Sequence, residues 1–272
     1  MGVLLGALSA VFYGVADFLG GEGAKRAPAA AIVLWSGVVS FPFAVAAALV
    51  AGGRAHPSDM IVGALAGASG AFGLVFAGLA RGRAASVAPV SAVLAGAFPV
   101  LIAVAQGERP SVLAWAGVLL ALPAVALSAA VGSSLPPEGV GWGVAAGFGF
   151  GGYAVLIDLT SESSRLLPLI SARGATMLVV GAVALGGVWS VTGPRQVPAR
   201  LVAGNGILDV AGNIALLAGL RAGSLALVAM AGSFFPAVTV ALARIVNGEH
   251  LLRRQVAGIA LTFAALAAIA LG

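Results

Sequence analysis

Ten stretches of about twenty apolar residues, set so close together that no soluble domain fits between them, decide what this chain can become. They fall near 2–21, 28–52, 59–80, 84–106, 111–132, 139–158, 166–190, 199–220, 223–246 and 251–271, parted by Gly, Pro and charged residues. An α-helix rises about 1.5 Å per residue, so each stretch is long enough to cross a bilayer core. Only 8% of the 272 residues are charged, against about 25% in a soluble domain. The chain reads as an all-α integral membrane protein of ten transmembrane helices in a lipid bilayer. Its opening window, MGVLLGALSAVFYG, lacks a basic leader and a small-residue cleavage site and is expected to persist as the first span.

The same composition narrows the function. Cysteine is absent, which removes disulfides and thiolate metal sites. The net charge of +5 is scattered over short connections, with no basic run of the kind that binds nucleic acid. The two histidines, His56 and His250, lie at helix ends, and no HExxH, paired-acid or Ser/His motif appears. No catalytic residues, metal site or cofactor are therefore expected. GFGFGG at 147–152 satisfies GxGxxG formally, but no strand precedes it and it lies inside an apolar span, so it is not read as a dinucleotide site.

Against this background the buried polar residues stand out. Within 199–220, Asn205, Asp209 and Asn213 follow one another at four-residue intervals and share one helical face. A central Asp costs about 3 kcal/mol on insertion scales, while each Leu, Ile or Val returns about half a kcal/mol. That stripe must face protein or water rather than lipid, which makes it a candidate translocation path. Ser9, Tyr13 and Asp17 form a second stripe, ending close to the end of the first helix. Arg173 sits about eight residues inside the seventh span. It can snorkel toward Asp158 or Glu162, pair with Asp209, or meet an anionic group on a substrate. Tyr13 and Tyr153, the only tyrosines, lie mid-helix, where a hydroxyl needs a partner.

The chain also repeats itself. AGLARGRAASVAPVSAVLAGAFPV returns as AGLRAGSLALVAMAGSFFPAV, with Pro99 and Pro236 in register behind Phe, and Gly107-Glu108 is echoed by Gly248-Glu249. Tyr13-Gly14 falls opposite Phe150-Gly151, and Trp35-Ser36 opposite Arg173, so Trp35 is a candidate to face Arg173 across the centre. Two five-helix repeats are expected, 1–132 and 139–272, joined by a linker at 133–138. Five is odd, so the copies cross the membrane in opposite senses, an arrangement typical of secondary transporters. Pro99 and Pro236 each remove a helical hydrogen bond and are expected to interrupt and kink helices four and nine. Gly63/Gly67 and Gly143/Gly147/Gly151 have small-xxx-small spacing for close helix approach.

The doubled set of five helices, the Phe-Pro markers and the Gly-Glu after each resemble the EamA-type transporters of the drug/metabolite transporter superfamily, over the whole chain. YGVADFLGG resembles the first helix of one branch, while the short fourth helix and Trp35-Ser36, where many relatives place an Arg, depart from it. The resemblance implies a central cavity lined by helices 1–4 and 6–9 with helices 5 and 10 outside it, and both termini inside the cell. Charge counting gives the other orientation. Lys25, Arg26, Arg81, Arg83, Arg195, Arg200, Arg253 and Arg254 lie on one side, and Arg54, Arg109, Arg165 and Arg221 on the other, which puts the termini outside. The expected function is secondary transport, with export as the expected direction, of a small organic metabolite, amino acid or drug across the inner (plasma) membrane. The expected route is alternating access, with proton coupling through Asp17 or Asp209 and a monomeric or homodimeric assembly. A channel or lipid scramblase shares the architecture, and a membrane enzyme is the more distant alternative.

Overall fold

Apolar length alone makes helices of all ten windows. The structure is a computed structural model that describes residues 1–79, 84–129, 139–188, 191–248, 250 and 252–272. The helices are α1 (Gly2–Ala24), α2 (Ala29–Ala51), α3 (Pro57–Leu79), α4 (Ala84–Ala105), α5 (Val112–Ala129), α6 (Val140–Asp158), α7 (Leu167–Leu185), α8 (Ala199–Arg221), α9 (Leu225–Gly232), α10 (Phe235–Asn247) and α11 (Arg253–Leu271). No strand occurs among the described residues. The ninth window is thus divided in two. The linker at 133–138, Arg81, Arg83 and Glu249 lie outside the described residues.

The local punctuation follows ordinary rules. Pro57, Pro168 and Pro236 sit in first turns, where a missing N–H costs nothing. Gly248 leaves α10 in the left-handed conformation that a side chain would disfavour. The outward surface is apolar: Val50, Leu178 and Phe263 are 90%, 77% and 70% exposed. Such a surface is stable against acyl chains and not against water.

The contacts fix the direction of each span. Gly2 lies against Gly219 and Gly223, and Gly20 against Asn205, so α1 and α8 are antiparallel. Gly149 meets Gly73 and Gly152 meets Ser69, so α6 and α3 are antiparallel too. Conversely, Gly143, Gly147 and Gly151 climb α4 in its own direction from Val90 to Pro99, while Gly6 and Gly14 climb α9 and α10 from Val228 to Val238. Exchange α1–α5 for α6–α11 and the packing maps onto itself: α1 with α8 becomes α6 with α3, α4 with α6 becomes α9 and α10 with α1, α3 with α7 becomes α8 with α2. Counterparts α1 and α6 run in opposite senses. The fold is therefore two inverted five-helix repeats.

Close approach, not side-chain bulk, holds the seams between the copies. A Cβ on Gly67 would stand 1.9 Å from the Ala172 carbonyl oxygen, so only glycine lets α3 reach α7. Hydroxyls then bond carbonyls across the same seams: Ser69 to Gly149 at 2.9 Å, Thr176 to Gly67 at 2.9 Å, Ser36 to Val202 at 3.1 Å and Thr239 to Gly14 at 3.1 Å. Each is worth roughly 1 kcal/mol in a membrane interior. A second layer ties the loops on the face that carries both termini. Glu108 accepts from Ser224 Oγ and from the Leu225 amide at 2.9 Å, placing an anion at the start of α9. Asp59 accepts from Ser161 and Ser164, and Ser164 Oγ also lies 2.9 Å from the Arg54 carbonyl oxygen.

Candidate central cavity

Between the repeats lies a cavity of about 720 Å³. Its walls come from α1–α4 and α6–α10, and among the described residues none that lines it belongs to α5 or α11. Those two pair with each other at the periphery, as Gly117 against Ile269 illustrates. The cavity reaches Ala29 at the start of α2, Ala77 near the end of α3 and Val87 near the start of α4. Toward the opposite face it is floored by buried Leu169 and Leu216. Leu217, Leu220, Leu225 and Val228 are buried there as well.

Seven residues singled out in the sequence converge on this space: Tyr13, Asp17, Tyr153, Arg173, Asp209, Asn213 and Pro236. Of the two acidic partnerships open to Arg173, the structure shows the one with Asp209. Its Nη2 donates to Asp209 Oδ2, with the two side chains 14% and 34% exposed, and neither Asp158 nor Glu162 takes part. Asn213 Nδ2 donates to the Asp209 carbonyl at 2.7 Å and lies 3.4 Å from its carboxylate. Within the stripe on α8, Asp209 and Asn213 are thus in contact one turn apart. Charged hydrogen bonds of this kind keep a carboxylate tolerable inside a membrane.

Asp17 differs. It lines the cavity from α1, is exposed there, and has no hydrogen bond or ion pair among the described residues. Asp17, Arg173 and Asp209 also line a second space of about 360 Å³ between α1, α2, α7 and α8. The tyrosine rings fit where the opposite repeat offers glycine: Tyr13 against Gly212 and Tyr153 against Gly70.

The remaining expectations land elsewhere. Asn205 borders the second space, and its Nδ2 donates to the Ala16 carbonyl at 2.7 Å, which ties α8 to α1. Trp35 does not face Arg173. Its indole N–H donates to the Thr192 carbonyl at 2.9 Å, away from both spaces, because the α7–α8 connection offers a backbone acceptor there. Ser9 is fully buried and lies outside the cavity wall. The prolines also part company. Pro236 lines the cavity at the head of α10, whereas α4 runs unbroken through Pro99, which packs near Gly151. One missing N–H does not by itself end a packed membrane helix, since neighbours hold the backbone in place. The wall residues Thr176, Thr239, Ser91 and Ser233 escaped the sequence reading. The available signal was position: Thr176 and Thr239 each fall three residues after a residue already in view, Arg173 and Pro236.

Residues 1–130 and 137–271 each match the EamA-like transporter family. A solved crystal structure superposes with a TM-score of 0.75 at 18% identity, covering 99% of this chain and 98% of its own, a likeness of fold. No curated protein matches.

Proposed function

Because the chain belongs to the EamA-like transporter family, we propose that it is a secondary transporter of a small organic solute, a metabolite, amino acid or drug, in the plasma membrane. One observation carries this reading: a cavity of about 720 Å³, reaching toward one face, lies on the seam of two inverted repeats, with an ion pair inside it. A cavity of that size suits a drug-sized ligand. Inverted repeats give the seam two alternative closures, so rocking one copy against the other exposes the same residues to each side in turn. In the present arrangement the cavity reaches toward the face of Lys25 and Arg26 and is floored by leucines toward the face of Arg221. The Arg173–Asp209 pair holds α7 to α8, and its rearrangement on solute binding couples occupancy to closure. Export is the direction we assign, and Asp17 and Asp209 are the carboxylates available for proton exchange.

The rival reading is a channel or scramblase built on the same helices. Purified protein in liposomes, loaded with unlabelled solute and offered a labelled trace, separates them. A carrier gives saturable counterflow that the trace follows against its own gradient. Flux that never saturates and shows no overshoot rejects the carrier.

A further inference from the structure

The hydrogen-bonding character of the cavity is one-sided. Its wall hydroxyls are mostly committed as donors: Ser91 to Ala88 at 3.2 Å, Ser233 to Met230 at 2.8 Å, Thr176 to Gly67 or Ala172, and Thr239 to Gly14 or Phe235. Asn213 gives its amide protons to Asp209, and Arg173 is engaged with the same residue. The two tyrosine hydroxyls and the rest of the guanidinium remain as donors.

Acceptors, by contrast, are left over. Asp17 carries a carboxyl group without a partner among the described residues. Proline removes a helical donor at two matching places. Pro99 has no N–H for the carbonyl four residues earlier, at Ala95, and Pro236 has none for Gly232. Ala95 and Gly232 both line the cavity, one from each repeat. With Arg173 and Asp209 paired, Asp17 is the chamber's acid without a partner among the described residues, and the aromatic residues Tyr13, Tyr153, Phe150 and Phe235 share its walls. Such a lining complements a cation with an apolar body, through charge-assisted hydrogen bonds and ring faces.

We infer that the solute is a small organic amine in its ammonium form and that Asp17 is the residue that selects it. This rests on the transport reading and narrows it. The whole protein in nanodiscs would be titrated by calorimetry with phenethylamine, phenylacetate and 2-phenylethanol, which share a ring and differ in charge. The ammonium is expected to bind roughly tenfold or more tightly than the alcohol, with phenylacetate weakest. Asp17→Asn should abolish that preference and Asp17→Glu retain it, which separates charge recognition from a folding defect. Absence of an ammonium preference in the natural protein, or its persistence in Asp17→Asn, overturns the inference. Saturable counterflow of some other solute alongside that negative result leaves the transport reading standing, whereas loss of counterflow for every solute removes both.

Discussion

In the first repeat Phe98-Pro99 lies inside an unbroken α4, while in the second Phe235-Pro236 opens α10 after the chain has left α9 at Gly232. The same proline chemistry has two outcomes in two settings. Ser233 turns its hydroxyl back on the Met230 carbonyl, which competes with the helical ladder. Its counterpart in α4 is Gly96, and a Cβ there would lie 2.6 Å from Ser233 Oγ. Matching residues of inverted copies meet at the axis, so a side chain on one leaves no room for a side chain on the other. The charges follow the same logic. Arg173 faces the cavity where the first repeat has Ser36, bonded instead to the Val202 carbonyl. Asp17 has no acidic counterpart in α6. Duplication supplies a symmetric scaffold, and the site is made where the symmetry is broken.

The largest effects should come from attacking the symmetric part. Gly67→Leu on the α3–α7 seam and Gly206→Leu on its α2–α8 counterpart would each drive a side chain into backbone, since even a Cβ would stand 1.9 Å from the Ala172 oxygen and 2.4 Å from the Ser36 oxygen. Overpacking costs about 1–3 kcal/mol in forgiving cores, and backbone gives least. Both variants should lose the monodisperse peak in size-exclusion chromatography; loss in only one would mean the seams are not equivalent.

Next comes the asymmetric part. Asp209→Asn keeps an acceptor for Arg173 but removes the countercharge. Counterflow should fall about tenfold or more, equivalent to roughly 1.4 kcal/mol, while the thermal midpoint moves little. A smaller contrast is expected between the prolines. Pro236→Ala restores a donor for the Gly232 carbonyl and should slow counterflow several-fold with stability unchanged, because proline in a first turn costs nothing. Pro99→Ala fills an interior position where proline is poorly suited, and should leave the rate unchanged and raise the midpoint; equal rates in the two variants would deny the break a role. Smallest of all, Trp35→Phe removes one indole hydrogen bond worth about 1 kcal/mol, visible in the melting curve and absent from the transport kinetics.

The scaffold was legible because its determinants are one-dimensional. Apolar length fixes the spans, an odd repeat fixes the inversion, and Gly63/Gly67 and Gly143/Gly147/Gly151 announced the helix seams that the packing uses. The stripe on α8 was legible because a carboxylate in mid-span has so few places to go. What escaped depends on rotation about helix axes. A position six residues into α2 does not reveal that the Trp35 indole turns toward Thr192, and the register match with Arg173 fixed depth without fixing the face. Asn205 shares the stripe's spacing but meets α1 before it meets the cavity. The division at Gly232 was hidden for another reason: Pro99 and Pro236 look alike until the serine ahead of one and the glycine ahead of the other are weighed together.

The proposed transport cycle turns on the Arg173–Asp209 contact inside the inverted seam. Counterflow into liposomes by Arg173→Asp, Asp209→Arg and the double exchange tests it most directly. Each single variant places two like charges in a low-dielectric chamber and should be inactive, and the double exchange should recover a measurable, saturable fraction of the natural rate. Single variants that transport normally, or a correctly folded double exchange as inactive as either parent, would contradict it.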